Sequence, residues 1–261
     1  MFEFIRKRKE VTLVLGGGSA RGIAHIGVLK VLEKERVQID RIVGTSMGAL
    51  VGAAYAVGIP LDRLEERAYK FSIKKLLDPT IPRIGLLAGD NLEKLIRDVI
   101  EDRGFEHCKI PLAIVTTDIE KNEEVIYKKG DLAKVIRASC SWPGIFNPVR
   151  LDGRLLVDGG IKDSVPTRIA KDLGSEYMIA VDVGFCVKHG KIDRIFDMII
   201  QSFQIMGHEL NRYQANTADV VIEVHLGDLD QTAFFRSREA VAKGKTAAEN
   251  KIDQIKKDLG I

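Results

Sequence analysis

Ser46 stands in the stretch Gly44-Thr45-Ser46-Met47-Gly48, a G-x-S-x-G spacing. Such a serine sits on a sharp turn between a strand and a helix. Small flanking residues let the backbones pass closely and lift the hydroxyl clear, where it can act as a nucleophile. The flanks agree: a strand-like DRIV precedes the serine and a helix-like ALVGAAYAV follows it. The helix begins at the serine, so its free N–H groups and its dipole favour negative charge there. The competing reading is a tight turn that only packs two elements.

A second chemical signal is GGGSARG, residues 16–22, again after a strand and before a helix. Clustered glycines leave backbone N–H groups uncovered and able to point at an anion. A P-loop would need a lysine followed by a hydroxyl residue, and none is present. A dinucleotide fingerprint fails as well: counted from Gly16 its last glycine falls on Arg21, and counted from Gly18 its second falls on Ala20. The best remaining reading is an oxyanion hole serving Ser46, with the N–H groups of Gly17, Gly18 and Ser19 as donors. One such donor is worth roughly 3 kcal/mol to a developing oxyanion. Arg21 would anchor the loop or face an anionic head group; an ordinary surface arginine in a first helical turn is the alternative.

A serine hydroxyl needs a base. Of the five histidines, His225 ends the strand-like VVIEVH and would satisfy a Ser-Asp-His chain order. His25 lies close to the glycine loop and is expected to pack or bond locally; His208, mid-helix, and His189, in a charged loop, have no compelling context, and His107 is the fifth. The other candidate is a carboxylate. Asp158 ends the apolar run LLVDGG, where two glycines allow close approach and poor solvation would strengthen the base. Its bland alternative is a cap for KDSVPTRIA. Asp182 in AVDVG is a weaker rival, and Asp118 reads as structural. No H-E-x-x-H or EF-hand spacing occurs, so no catalytic metal and no cofactor are expected.

The elements that must position these groups alternate. Residues 11–15 read as a buried strand, and Ile23, Ile26, Leu29 and Leu32 follow at helical spacing. A strand at residues 41–43 leads to Ser46, and the next helix stops at Gly58, with Pro60 beyond. This order favours a parallel sheet covered on both faces, with the two chemical loops at one sheet edge. Residues 61–77 read as one charged surface helix, then DPTIPRIGLLAGD as a loop, with Asp90 capping NLEKLIRDVI. IPLAIVTTDI is an apolar strand with EEVIY as its neighbour; Asp131 caps LAKVIRASC; PVRLDGRLLVDGG is a hairpin turned at Asp152-Gly153. YMIAVDVG and VVIEV are further strands, and residues 192–215 and 236–259 are helical.

The chain has 261 residues, 45% of them hydrophobic, and a net charge of +3 from 40 basic and 37 acidic residues. That balance argues against nucleic acid as a partner. Cys108, Cys140 and Cys186 lie far apart, which favours a reducing compartment over a disulfide framework. Residues 1–10, MFEFIRKRKE, form a basic tip without the apolar run of a signal peptide. The tip could rest on a membrane surface through Phe2, Phe4 and Ile5, with Arg6 to Lys9 near phosphates; the bland reading is a solvated end. The expected place is therefore the cytoplasm, with peripheral contact at the inner face of the membrane. Without repeat or linker, residues 11–261 read as one domain. Phe203, Ile205, Phe234 and Phe235 could pack internally or form an interface, and no pattern fixes an oligomeric state.

GGGSARG, GTSMG and DGG, in that order, together with RASCSWPGIFNPV, resemble the patatin-like phospholipase family, especially its compact bacterial members, over roughly residues 11–222. The resemblance implies a three-layer α/β/α sandwich with a mainly parallel central sheet. It implies a serine acyl hydrolase with a Ser46–Asp158 dyad and no histidine, a glycine-loop oxyanion hole, and Arg21 at the family's basic position. Ser19 departs from the glycine many members carry. The expected substrate is a fatty acyl ester of a phospholipid or lysophospholipid, for which Leu86, Leu87, Trp142, Ile145 and Phe146 could line a groove, ordinary packing being the alternative. An acyltransferase of the same fold and a partner-binding signalling protein are the rival functions.

Overall fold

The computed structural model describes residues 8–81, 84–185 and 195–261. Phe2, Phe4, Ile5 and most of the basic tip lie outside the described residues, as do Cys186, His189 and the first residues of the helix expected from residue 192.

The expected alternation produces β1 (Val11–Leu15), α1 (Ala24–Lys34), β2 (Arg41–Thr45), α2 (Met47–Ala56) and α3 (Leu61–Lys70). Then come β3 (Gly85–Leu87), α4 (Asp90–Val99), β4 (Leu112–Asp118), β5 (Glu123–Tyr127) and α5 (Leu132–Ser139). β6 (Gly144–Phe146), β7 (Val149–Leu151), β8 (Arg154–Asp158), α6 (Thr167–Asp172) and β9 (Tyr177–Asp182) follow. The described chain closes with α7 (Ile195–Ala215), β10 (Val220–Glu223) and α8 (Ser237–Leu259).

The main sheet runs β10-β9-β1-β2-β4-β8-β7, with β5 also on β4. Strands β10, β9, β1, β2 and β4 are parallel; β5, β8 and β7 are antiparallel to their neighbours. Strand side chains alternate between faces. Leu13 and Leu15 of β1 join a core with residues of α1, α2 and α8, whereas Val14 joins Ile169 and Ala170 of α6 on the opposite face. Apolar side chains on both faces of one sheet dictate helices on both sides, an α/β/α sandwich.

Three local expectations change. The helix over residues 61–77 ends at Lys70: Phe71 is extended and a 3-10 turn, Ile73–Leu76, follows. The break turns the Phe71 ring edge-on against buried Phe234, centroids 4.9 Å apart. The cap of α4 is not Asp90 but Asp78, whose carboxylate accepts the N–H groups of Gly89 at 3.0 Å and Asn91 at 2.8 Å. A long-range carboxylate thus fills the role that local spacing assigned to Asp90. The expected DPTIPRIGLLAGD loop contains a strand, β3, which pairs in parallel with β6 as a two-stranded sheet. Asp131 does cap α5 through the Lys134 N–H at 3.1 Å. Asp152 and Gly153 both take positive φ at the β7–β8 turn, as a tight hairpin requires.

Candidate active site

Strand β4 explains how residues 112 positions apart meet. β2 runs parallel to β4 and ends with Thr45 opposite Val115. β8 runs antiparallel to β4 and ends with Asp158 opposite Thr116, the next residue along. β5 occupies the other edge of β4 over both stretches, so β2 and β8 share one edge and meet end to end. The residue leaving β2, Ser46, is thereby set against the last residue of β8. The Ser46 hydroxyl donates to Asp158 Oδ2 at 2.7 Å.

Ser46 has φ 54° and ψ −123°, a sparsely populated backbone for a side-chain-bearing residue that costs about 1–3 kcal/mol and must be held by its surroundings. Ser139, at the end of α5, holds it. The Ser46 N–H donates to Ser139 Oγ at 2.8 Å, and Ser139 Oγ donates to the Val115 carbonyl at 2.7 Å. Gly48 lets α2 press on the end of β1: a Cβ there would lie 2.2 Å from the Leu15 carbonyl oxygen.

Asp158 is 8% exposed, and its second oxygen, Oδ1, accepts the Gly160 N–H at 2.8 Å. Burial raises its pKa to about 6, against the lowering effect of its Gly160 and Ser46 hydrogen bonds. It is thus a stronger base than an ordinary aspartate. Its own N–H donates to the Ser141 carbonyl at 2.9 Å. That segment is fixed by Arg137, a buried guanidinium that donates to the carbonyls of Ala88, Gly89 and Asn147 at 2.7–2.9 Å and also to Ser141 Oγ. Cys140 lines the same space, and burial, with Asp158 nearby, pushes its thiol pKa well up.

In the glycine loop, the three candidate donors part ways. The Gly17 N–H is taken by the Ser164 carbonyl at 2.9 Å. The N–H groups of Gly18 and Ser19 have no partner among the described residues. Gly18 has φ 155°, and a Cβ on it would come within 2.5 Å of Val183. Arg21 is no surface arginine. It is 4% exposed and donates to the carbonyls of Val183, Gly184, Gly227 and Leu229 at 2.7–3.2 Å, which ties the loop down and keeps the guanidinium from facing a head group. His25 packs locally, as expected: it is fully buried, its Nε2 meets the Gly16 carbonyl at 2.8 Å, and burial lowers its pKa to about 4.

Gly17, Gly18, Ser19, Ser46 and Asp158 all open onto one cavity of about 630 Å³ with mainly apolar walls. Of the expected groove residues, Trp142 and Phe146 line it, whereas Leu86, Leu87 and Ile145 do not. Leu87 sits in the small β3–β6 sheet and Leu86 points largely to solvent. The walls come instead from several helices: Leu50 of α2, Leu64 of α3, Leu95 of α4, Phe203 and Leu210 of α7. Asp182 accepts from the Gly184 N–H and from Asn211, each at 2.8 Å, and Asp118 accepts from Arg154 at 3.1 Å, so both serve structure. His225 is exposed beside Glu223, and no described histidine lines the cavity. Among the described residues no cluster of three or more His, Cys, Asp or Glu is placed to hold a metal ion. Sequence reading missed Ser139, Arg137 and Cys140; only their inclusion in RASCSWPGIFNPV pointed to that segment.

The sequence profile of patatin-like phospholipases matches residues 13–171. The human patatin-like phospholipase domain-containing protein 6 is 38% identical over 182 residues, 67% of this chain and 13% of that protein. An uncharacterized NTE family protein of Mycobacterium tuberculosis is 38% identical over 179 residues, 66% of this chain and 49% of that protein. The chain thus spans half or less of these relatives, and they are eukaryotic and bacterial alike rather than specifically compact bacterial proteins. In fold, the chain is similar to the crystal structure of VipD from Legionella pneumophila, with a TM-score of 0.67 at 15% identity, covering 95% of this chain and 67% of that one.

Proposed function

The chain belongs to the patatin-like phospholipase family, and on that footing we propose that it is a serine hydrolase of fatty acyl esters, phospholipids or lysophospholipids among them. Residues 11–261 act as its single acyl hydrolase domain. The observation that carries this reading is the 2.7 Å hydrogen bond from Ser46 to Asp158 inside an apolar cavity.

As Ser46 Oγ attacks the ester carbonyl, Asp158 takes its proton. The carbonyl oxygen gains negative charge opposite the N–H groups of Gly18 and Ser19, while Gly17 spends its own on loop position. The leaving alcohol departs with the proton from Asp158, which leaves an acyl-serine. Water, deprotonated by the same carboxylate, then releases the fatty acid and restores the serine. Trp142, Phe146 and the helical walls receive the acyl chain.

The test uses a soluble short-chain ester and a fluorophosphonate probe. Wild type should turn over the ester and take up one probe at Ser46, and Ser46→Ala should do neither. His225→Ala and a chelator should leave the rate unchanged. Equal hydrolysis by wild type and Ser46→Ala would overturn the reading.

A further inference from the structure

Helix α7 is inside out. An ordinary surface helix buries its apolar stripe and exposes its polar one. In α7 the buried positions include Gln201, Gln204 and Asn211, whereas Ile195, Met198, Ile199, Met206 and Tyr213 are 48–83% exposed. These five recur at helical spacing on one side. Met206 also lines the cavity, with Phe203 and Leu210 beside it, so the outward stripe, in which exposed Ser202 and Glu209 also stand, reaches the cavity.

The 3-10 turn Ile73–Leu76 reaches the same cavity through Lys75 and Leu76. Lys70 and Lys75 line the cavity, and Ile73 and Leu77 are exposed around them. Glu66 pairs with Lys70, and Asp98, which lines the cavity on this side, lies 4.0 Å from Arg67. Lys74 and Lys75 have no ion pair among the described residues. On α7 itself Glu209 is paired with Arg212. The mouth therefore carries exposed hydrocarbon with uncompensated positive charge at its edge. A contiguous exposed apolar patch of this kind marks an interaction surface.

We propose that the outward face of α7 and the Ile73–Leu76 turn dock on a bilayer bearing anionic phospholipid head groups, with α7 lying in the interface plane. Apolar side chains inserted at the acyl boundary and lysines at head-group level are what such a surface recognises. Among the described residues no helix is long and apolar enough to cross a membrane, so α7 lies on the bilayer rather than through it. Docking in this pose sets the cavity mouth against the lipid, and an acyl chain enters without crossing water. The purpose of docking rests on the acyl hydrolase reading; the binding does not.

Binding is therefore measured on the full chain carrying Ser46→Ala, by co-sedimentation with phosphatidylcholine vesicles with and without phosphatidylglycerol. Ile195→Ser, Met198→Ser and Ile199→Ser together avoid the cavity wall and should weaken binding at least about tenfold. Lys74→Glu should weaken binding about tenfold to the anionic vesicles only, an effect lost at high salt. With Ser46 restored, both variants should melt like wild type and hydrolyse a soluble short-chain ester at the wild-type rate, while losing turnover of vesicle-borne ester. The proposal falls if wild type ignores anionic vesicles, or if the triple variant binds them equally well. It also falls if wild type is a dimer that the triple variant dissociates, for then a second copy covers the face. Expected vesicle binding with no soluble-ester turnover by wild type would uphold docking and sink the acyl hydrolase reading instead.

Discussion

The two walls of the cavity differ in how their polar groups are held. On the β1–β2 side, Ser46, Ser139, Asp158 and Arg21 are tied by hydrogen bonds of 2.7–3.2 Å to strand ends and loop carbonyls, and Ser164 Oγ, which also lines the cavity, is left without a partner among the described residues. On the α7 side, Gln204 bonds Gln231 at 3.0 Å, but Gln204 Oε1, Asn211 Oδ1 and Gln231 Nε2 have no partner among the described residues. The first wall fixes atoms to fractions of an ångström, as bond-making chemistry demands. The second is set by side-chain area and tolerates exchange. Under the proposed acyl hydrolase reading, reaction geometry and substrate capture fall to different structural materials.

Substitutions should separate the two walls, and the largest effect belongs at Asp158. Asp158→Asn should lower kcat/KM by about 10³-fold. The same change should stabilise the fold. Burial holds the wild-type pKa at about 6 against 3.8 for an ordinary aspartate, so above pH 6 the ionised group costs folding about 3 kcal/mol. The folded state binds the proton more tightly, so this penalty shrinks as pH falls from 6 towards 3.8. Denaturation near pH 8 should accordingly show Asp158→Asn more stable by up to that amount, with the gain gone near pH 4. Wild-type kcat/KM should climb as pH rises to about 6 and then level. A variant less stable than wild type near pH 8 would mean the carboxylate is held for stability.

Gly18→Ala comes next. The new Cβ must displace Val183 and the loop amides with it, so kcat should drop about 10²-fold with KM little changed. Arg21→Met leaves carbonyls of Val183, Gly184, Gly227 and Leu229 without their donor; chemical denaturation should show a loss of about 3 kcal/mol. The smallest effect belongs to the other wall. Gln204→Leu with Gln231→Met removes both partners of one buried pair and should shift stability by less than about 1 kcal/mol, upward if at all. A large loss there would erase the contrast between the walls.

The same contrast governs what could be read in the sequence. Glycine loop, elbow and the Asp158 turn were legible because strand-end loops advertise close backbone approach through local composition; of the rival bases, Asp182 is engaged by Gly184 and Asn211, and His225 is exposed and does not line the cavity. The spent Gly17 N–H was not legible, since its partner, Ser164, lies far along the chain. Nor was Ser139, an unremarked hydroxyl until strand pairing brings it under Ser46. The cavity wall was half seen: Trp142 and Phe146 were singled out, but Leu50, Leu64, Leu95 and Leu210 look like ordinary helix core. Cavity walls are tertiary, and no short window contains one. The inversion of α7 escaped for a related reason: periodicity reveals two faces of a helix, not which one faces inward.

The shared edge of β4 acts as a ruler with residue-sized graduations. One step along a strand is about 3.3 Å and turns the side chain to the opposite face. A single residue gained or lost within β8 would therefore carry the carboxylate out of range and aim it through the sheet. Insertions in the surface loops that separate these two groups, 112 residues apart in sequence, would leave the spacing untouched. Relatives of very different lengths can keep the same atoms in register as long as those two strand ends still abut.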